Sequence, residues 1–202
     1  MTAWHDSAEV RNPLLTTHAG MLGEAGFREG FRELADMGLS FDAWIYHPQI
    51  PDVVALARDN PDMTIVLDHV GGLIGIGPYA SARELAWTEW RESIFKLAEL
   101  PNVHVKLGGL GMRLGGYNFH ERDMPPGSVE LAELWRPVIE TCIEAFGPSR
   151  GMFESNFPVD KGSCSYHVLW NAFKRITAGF SEDEKACLYH GTAERVYKLT
   201  PN

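Results

Sequence analysis

Four short β-forming runs, each followed by a helical stretch, constrain this chain more than any other feature. They are "LSFDAWIYH" (39–47), "MTIVLDHVGG" (63–72), "NVHVKLGGLG" (102–111) and the start of "RGMFESNFPVDKG" (150–162). Between them lie "IPDVVALARDNP" (50–61), "ARELAWTEWRESIFKLAEL" (82–100) and "SVELAELWRPVIETCIEAFG" (128–147), whose apolar residues recur at helical spacing. Strands that alternate with helices make crossover units and hence a parallel sheet. The spacing predicts strands near 40–47, 64–69, 103–107 and 151–155, with "TAW" (2–4) as the stump of a fifth. Two architectures meet this pattern, a doubly wound open sheet and a (β/α)8 barrel. Both collect ligands at the C-terminal ends of their strands.

Helix boundaries are marked in the sequence. "FREGFRELADMG" (27–38) sets Phe27, Phe31 and Leu34 on one face and ends in a glycine suited to a C-cap. Pro51 opens the second helix and Pro61 lies beyond its end. Ser128 has the character of an N-cap, and Gly147 closes the helix it begins. Further helices are expected near 165–178 and 181–198, and residues 112–127 form a Gly- and Pro-containing loop that is longer than most connections.

The polar residues of the four runs fall at their C-terminal ends: His47, His69, Lys106 with the Gly108–Gly109 turn, and Glu154 with Asn156. His47, before Pro48, either caps a loop or lines a site. His69 is either a satisfied core histidine or, beside Gly71 and Gly72, a residue approached by a ligand. Lys106 sits among Val103, Val105 and Leu107, where an unpaired ammonium is costly, so it serves a structural ion pair or a site. Residues two apart on a strand share a face, which sets Glu154 and Asn156 on one side and Ser155 on the other. Asn156 has no titratable base and can orient substrate or water. Glu154 is the candidate base with Asp160 behind it, unless Glu154 pairs with Lys106 or Lys161.

With 202 residues the chain can bury one sizeable core, and a single domain over 1–202 is expected. A net charge of -9 argues against binding a nucleic-acid backbone or an anionic membrane. Cys142, Cys164 and Cys187 form no CxxC pair, which suits a reducing cytoplasm. No apolar run reaches membrane-span length, and "MTAWHDSAEVRN" lacks the regions of a signal peptide.

"IVLDHVGG", "VHVKLGGLGMR" and "MFESNFPVDK", in this order, resemble the amidohydrolase-2 (amidohydrolase-related) family, and "FDAWIYHPQIPDVVALA" matches its preceding strand and helix. The resemblance implies a TIM barrel and a hydrolase of the lactonase kind acting on a small lactone or carboxylic acid derivative. It implies His69 as a substrate- or metal-contacting histidine, with Lys106 and Arg113 reaching the pocket. The family's last strand typically carries "GSDWP"; here Asn156 stands at its aspartate and Glu154 at its glycine. No HxH pair of the family's first strand is present, and by order the strands look like the last four or five of eight. The expectation is therefore a partial (β/α)8 barrel, truncated at the N-terminus, that self-associates or pairs with a missing half. In this reading Glu154, His69 and Asn156 are catalytic, while His47, Lys106, Arg113 and Asp160 bind substrate. Any metal would be one divalent cation, zinc or manganese, with His69 as a possible ligand. The competing readings are a non-catalytic assembly domain and a decarboxylase.

Overall fold

The computed structural model describes residues 2–199. Its four strands are β1 (Phe41–Ala43), β2 (Ile65–Leu67), β3 (Val103–Leu107) and β4 (Gly151–Phe153). They form one parallel sheet in the order β1-β2-β3-β4, so each strand pairs with its successor in sequence. The main helices are α1 (Ala25–Asp36), α2 (Ile50–Asp59), α3 (Arg83–Ala98), α4 (Ser128–Phe146) and α5 (Tyr166–Ile176).

Which face the helices cover separates the two expected architectures. Ala43, Ile65, Leu67, Val103, Val105, Leu107 and Phe153 alternate onto one face, where they join Val53, Trp90, Trp135 and Phe173 of successive helices in a single core. A doubly wound sheet has helices on both faces. Here the crossovers lie on one side and the strand order never reverses, as in a segment of a (β/α)8 barrel. The opposite face, which a barrel turns inward, carries Asp42, Val66, His104, Lys106 and Met152 in register.

Several boundaries differ from those expected. The ladders of β1, β2 and β4 stop after three residues each, and His47 and His69 lie in 3-10 turns beyond them. Thr2–Trp4 are not a strand, although Thr2 N donates to Trp44 O at 3.1 Å beside the continuation of β1. Ser128 does not cap α4. Gly127 occupies the cap position, and Ser128 Oγ instead accepts from Arg175 Nε at 3.0 Å. The helix expected over 181–198 is broken into α6 (Glu182–Ala186), a π-turn (Cys187–Gly191) and α7 (Thr192–Val196). The π-turn sets buried Leu188 against β4, close to Gly151. No helix among the described residues is long and apolar enough to cross a membrane.

Candidate active site

The turn after β2 holds His69 in an uncommon conformation. His69 has φ 54° and the β-branched Val70 has φ 50°, both in the left-handed region that non-glycine residues avoid. The surroundings over-determine the turn: the indole N–H of fully buried Trp90 donates to Val70 O at 2.7 Å, and Trp44 packs edge-on at 4.6 Å from the His69 ring. Gly72 follows because a Cβ there would lie 2.2 Å from Ile45 O. Gly72 therefore admits the backbone at Ile45, and Gly71 the side chains of Ile50 and Leu67.

Glu154, just past β4, reaches this turn. Its Oε1 lies 2.5 Å from His69 Nδ1 and accepts the His69 backbone N–H at 3.2 Å. The segment "KLGGLG" makes the approach possible. A Cβ on Gly108 would come within 2.5 Å of Glu154 Cγ, one on Gly109 within 2.6–2.8 Å of the His69 side chain, and one on Gly111 within 2.8 Å of Asp160 Cγ. Three side chains that bear the candidate chemistry are seated against glycines of a single loop.

Asn156 and Asp160 complete the cluster. The pleat has ended at Phe153 and Asn156 has φ 51°, so strand alternation does not decide where its amide points. Asn156 Nδ2 donates to Asp160 Oδ1 at 2.8 Å, and Gly111 N donates to Asp160 Oδ2 at 3.2 Å. Asp160 is 0% exposed. Burial pushes its pKa up to about 6 against the pull of those hydrogen bonds and of His69. His69 is held above its ordinary value: burial opposes its charge, but Glu154, Asp68 and Asp160 together outweigh that cost. The group therefore combines a proton-holding imidazole with two carboxylates in different surroundings.

Lys106 does not pair with Glu154. Its ammonium donates to Asp42 Oδ2 at 2.6 Å, contacts Asp68 Oδ1 at 2.8 Å and faces the Tyr197 ring at 5.7 Å. Burial opposes its charge, yet the two carboxylates hold its pKa above the ordinary lysine value. Tyr197 OH also donates to Asp42 at 2.8 Å, so residues near the C-terminus cover this part of the inward face. Sequence reasoning missed Asp42, Asp68 and Tyr197. The sequence carried no signal for the pairing of Asp68: it follows from the register that sets Leu67 opposite Val105, so that the next residues on each strand are Asp68 and Lys106.

His47 is separate from the cluster's hydrogen bonds. It is 1% exposed, its Nδ1 accepts from Ile74 N at 3.2 Å, and its Nε2 lies 3.8 Å from Glu89. Burial pushes its pKa down to about 4, which keeps it neutral over most of the pH range. Arg113 is exposed at the start of the turn Arg113–Gly115 and forms no ion pair among the described residues. Among the described residues no three His, Cys, Asp or Glu side chains come together to hold a metal, and His69 Nδ1 is engaged by Glu154.

Comparison with known proteins identifies the family and supports the fold. The family model described as amidohydrolase matches residues 5–199. An uncharacterised protein of Sinorhizobium fredii is 42% identical over 173 residues, 86% of this chain and 52% of the relative. The L-fucono-1,5-lactonase of Burkholderia multivorans is 29% identical over 197 residues, 96% of this chain and 60% of the relative. A crystal structure of an amidohydrolase from Burkholderia multivorans with bound HEPES has a TM-score of 0.77 at 28% identity, covering 90% of this chain and 60% of that one. In another crystal form, with bound zinc, the TM-score is 0.76. The chain thus spans about half to three fifths of the length of the curated relatives it matches.

Proposed function

This chain belongs to the amidohydrolase family, and from that premise we propose that it takes part in hydrolysing a small lactone, with Glu154 and His69 as the reacting groups. The observation that carries the reading is the 2.5 Å contact between them, held by a strained turn and a glycine loop. Strain of this kind persists only where the surroundings enforce it, and it clusters at functional sites.

In this mechanism a water attacks the lactone carbonyl carbon. Glu154, through its second oxygen Oε2, takes the proton of that water. Protonated His69 faces the carbonyl with Nε2 and stabilises the developing oxyanion. Collapse of the tetrahedral intermediate breaks the ring C–O bond, and His69 passes its proton to the leaving alkoxide, giving a hydroxy acid. Asn156 orients the water or substrate, and Asp160 fixes Asn156. Lys106, behind Asp68, offsets part of the negative charge of Asp42 and Asp68 beside the site. Arg113 takes a substrate carboxylate where there is one, and His47 steadies the loop at Ile74, whose N–H it accepts. No step is assigned to a metal, because the donors at hand do not make a site for one.

L-Fucono-1,5-lactone, the substrate in the names of relatives sharing 28–29% identity, is the first compound to try. Acid release would be followed with wild type, Glu154→Gln and His69→Gln. Hydrolysis by wild type that falls at least a hundredfold in both variants supports the reading. It is overturned if folded wild type gives no rate above background on a panel of lactones, or if Glu154→Gln matches it.

A second reading, a non-catalytic part of a barrel that acts in assembly, is favoured by the sheet itself. β1 and β4 are its outer strands, each with a ladder partner on one side only among the described residues.

A further inference from the structure

A cavity of about 310 Å³ lies between α3, α4 and the loops that follow β2 and β3. None of its lining residues belongs to the His69–Glu154 cluster. Leu73, Trp87, Tyr117, Leu134 and Val138 wall it. The hollow has a backbone cause. Gly75 N donates to Leu114 O at 2.8 Å, and a Cβ on either Gly75 or Gly116 would come within 2.3 Å of a carbonyl oxygen of the opposite loop. The two loops meet main chain to main chain, so the seam has no side chain with which to fill the space beside the helices.

The charged residues of the lining are Arg83 and Glu84. Arg83 donates through Nη2 to Gly116 O at 2.5 Å, which anchors one corner of the guanidinium. Arg28, Arg122 and Arg136 each pair with a carboxylate, but Arg83 forms no ion pair among the described residues. The rim therefore offers an anchored guanidinium with donors to spare beside an apolar, aromatic-lined hollow. The volume is at the small end of ligand pockets, which run from about 300 Å³ upward.

We infer that this cavity binds a small aromatic monocarboxylate, its ring between Trp87 and the α4 side chains and its carboxylate on Arg83. A guanidinium fork matches a carboxylate with two parallel hydrogen bonds. Glu84 on the same rim limits the ligand to a single negative charge, since a second carboxylate would be repelled. The inference does not rest on lactone hydrolysis. The site still adjoins the catalytic cluster, because the wall residue Leu73 directly follows the His69–Gly72 turn and Leu110 follows Gly109, which packs on His69.

The test is an amide NMR titration of the intact chain with phenylacetate and, separately, with the nearly isosteric neutral 2-phenylacetamide. Phenylacetate should give saturable shifts centred on Gly75, Trp87 and Gly115, and should bind at least tenfold more tightly than the amide. Arg83→Met should weaken phenylacetate about tenfold and leave 2-phenylacetamide unchanged. Glu84→Gln should tighten phenylacetate two- to threefold, and Val138→Trp should abolish both by filling the hollow, with preserved spectral dispersion as the check on folding. Equal binding of acid and amide, saturable shifts elsewhere, or no saturable binding would overturn the inference. So would a chain that self-associates through this face, shown by a dimer that Leu134→Glu converts to monomer while phenylacetate fails to bind.

Discussion

Glu154 Oε1 and His69 Nδ1 lie 2.5 Å apart although 85 residues separate them in sequence. The two residues stand at the ends of β4 and β2, with β3 and its glycine loop between them. Replacing the carboxylate by an amide keeps the shape and deletes the base. Glu154→Gln should therefore lower lactone hydrolysis on the order of a hundred- to ten-thousand-fold while the circular dichroism spectrum stays unchanged. Asn156→Asp, which restores the residue of the family motif, should retain activity. If Glu154→Gln is silent and Asn156→Ala is inactive, Glu154 is a structural partner of His69 and the base is another group.

Gly109 is the seat of the His69 ring. Its φ is 69°, and a Cβ there would meet His69 atoms at 2.6–2.8 Å. Gly109→Ala should destabilise the fold by about 2 kcal/mol or more in urea unfolding and move the His69 ring resonances. Gly127→Ala meets nothing within 4 Å and serves as the control, with a change of under about 1 kcal/mol.

The burial of Asp160 makes a prediction about pH. Its folded pKa, about 6, lies above the ordinary carboxylate value, so the folded chain holds that proton more readily than the unfolded one. Its contribution to stability is fully present below the unfolded pKa of about 4 and is lost as pH rises through the folded value. Asp160→Asn should therefore gain roughly 3 kcal/mol relative to wild type between pH 4 and pH 7, part of it offset through His69, which Asp160 helps hold above its ordinary value. His47 and His104, both pushed down to about 4 by burial, act with the opposite sign, but they are common to both chains and cancel in the difference. Urea midpoints measured across that range check this, and parallel curves for the two proteins would refute it.

Lys106 joins two carboxylates that would otherwise face each other with no cation between them. Lys106→Met should cost about 1–3 kcal/mol, less than a fully buried pair because the three side chains keep 13–34% of their exposure. Adding Asp68→Asn should recover part of the loss. A double-mutant cycle in chemical denaturation measures the coupling, and strict additivity would mean that the ion pair contributes nothing.

The outer strands β1 and β4 bear on assembly. A four-stranded sheet does not close at barrel geometry, and its free edges and inward face invite pairing. Sedimentation velocity should show a dimer or larger species. A sharp monomer boundary at high concentration would rule the expectation out.

What the sequence determined by itself was local and periodic. Alternating apolar residues specified β3 over Val103–Leu107, and helical spacing with Pro51 and Gly147 marked α2 and α4, because each such signal is carried by contiguous residues. Their order in the chain was enough to call for parallel pairing. The polar ends of the runs also marked the region where His69, Glu154, Asn156 and Asp160 meet. The partners were decided only by tertiary structure. Whether Glu154 would face Lys106 or His69, and whether Asp42 and Asp68 would hold Lys106, depended on register across the sheet and on α2, α3, α4 and α5 packing against one face. The left-handed turns at His69 and Asn156 end the strand pleat, so beyond Leu67 and Phe153 no two-residue alternation could say where a side chain points. His47 reads in sequence like His69, a histidine at a strand end, yet the fold turns it toward Ile74 and buries it. Direction and burial at a turn follow from the packed neighbours, and those neighbours come from distant parts of the chain.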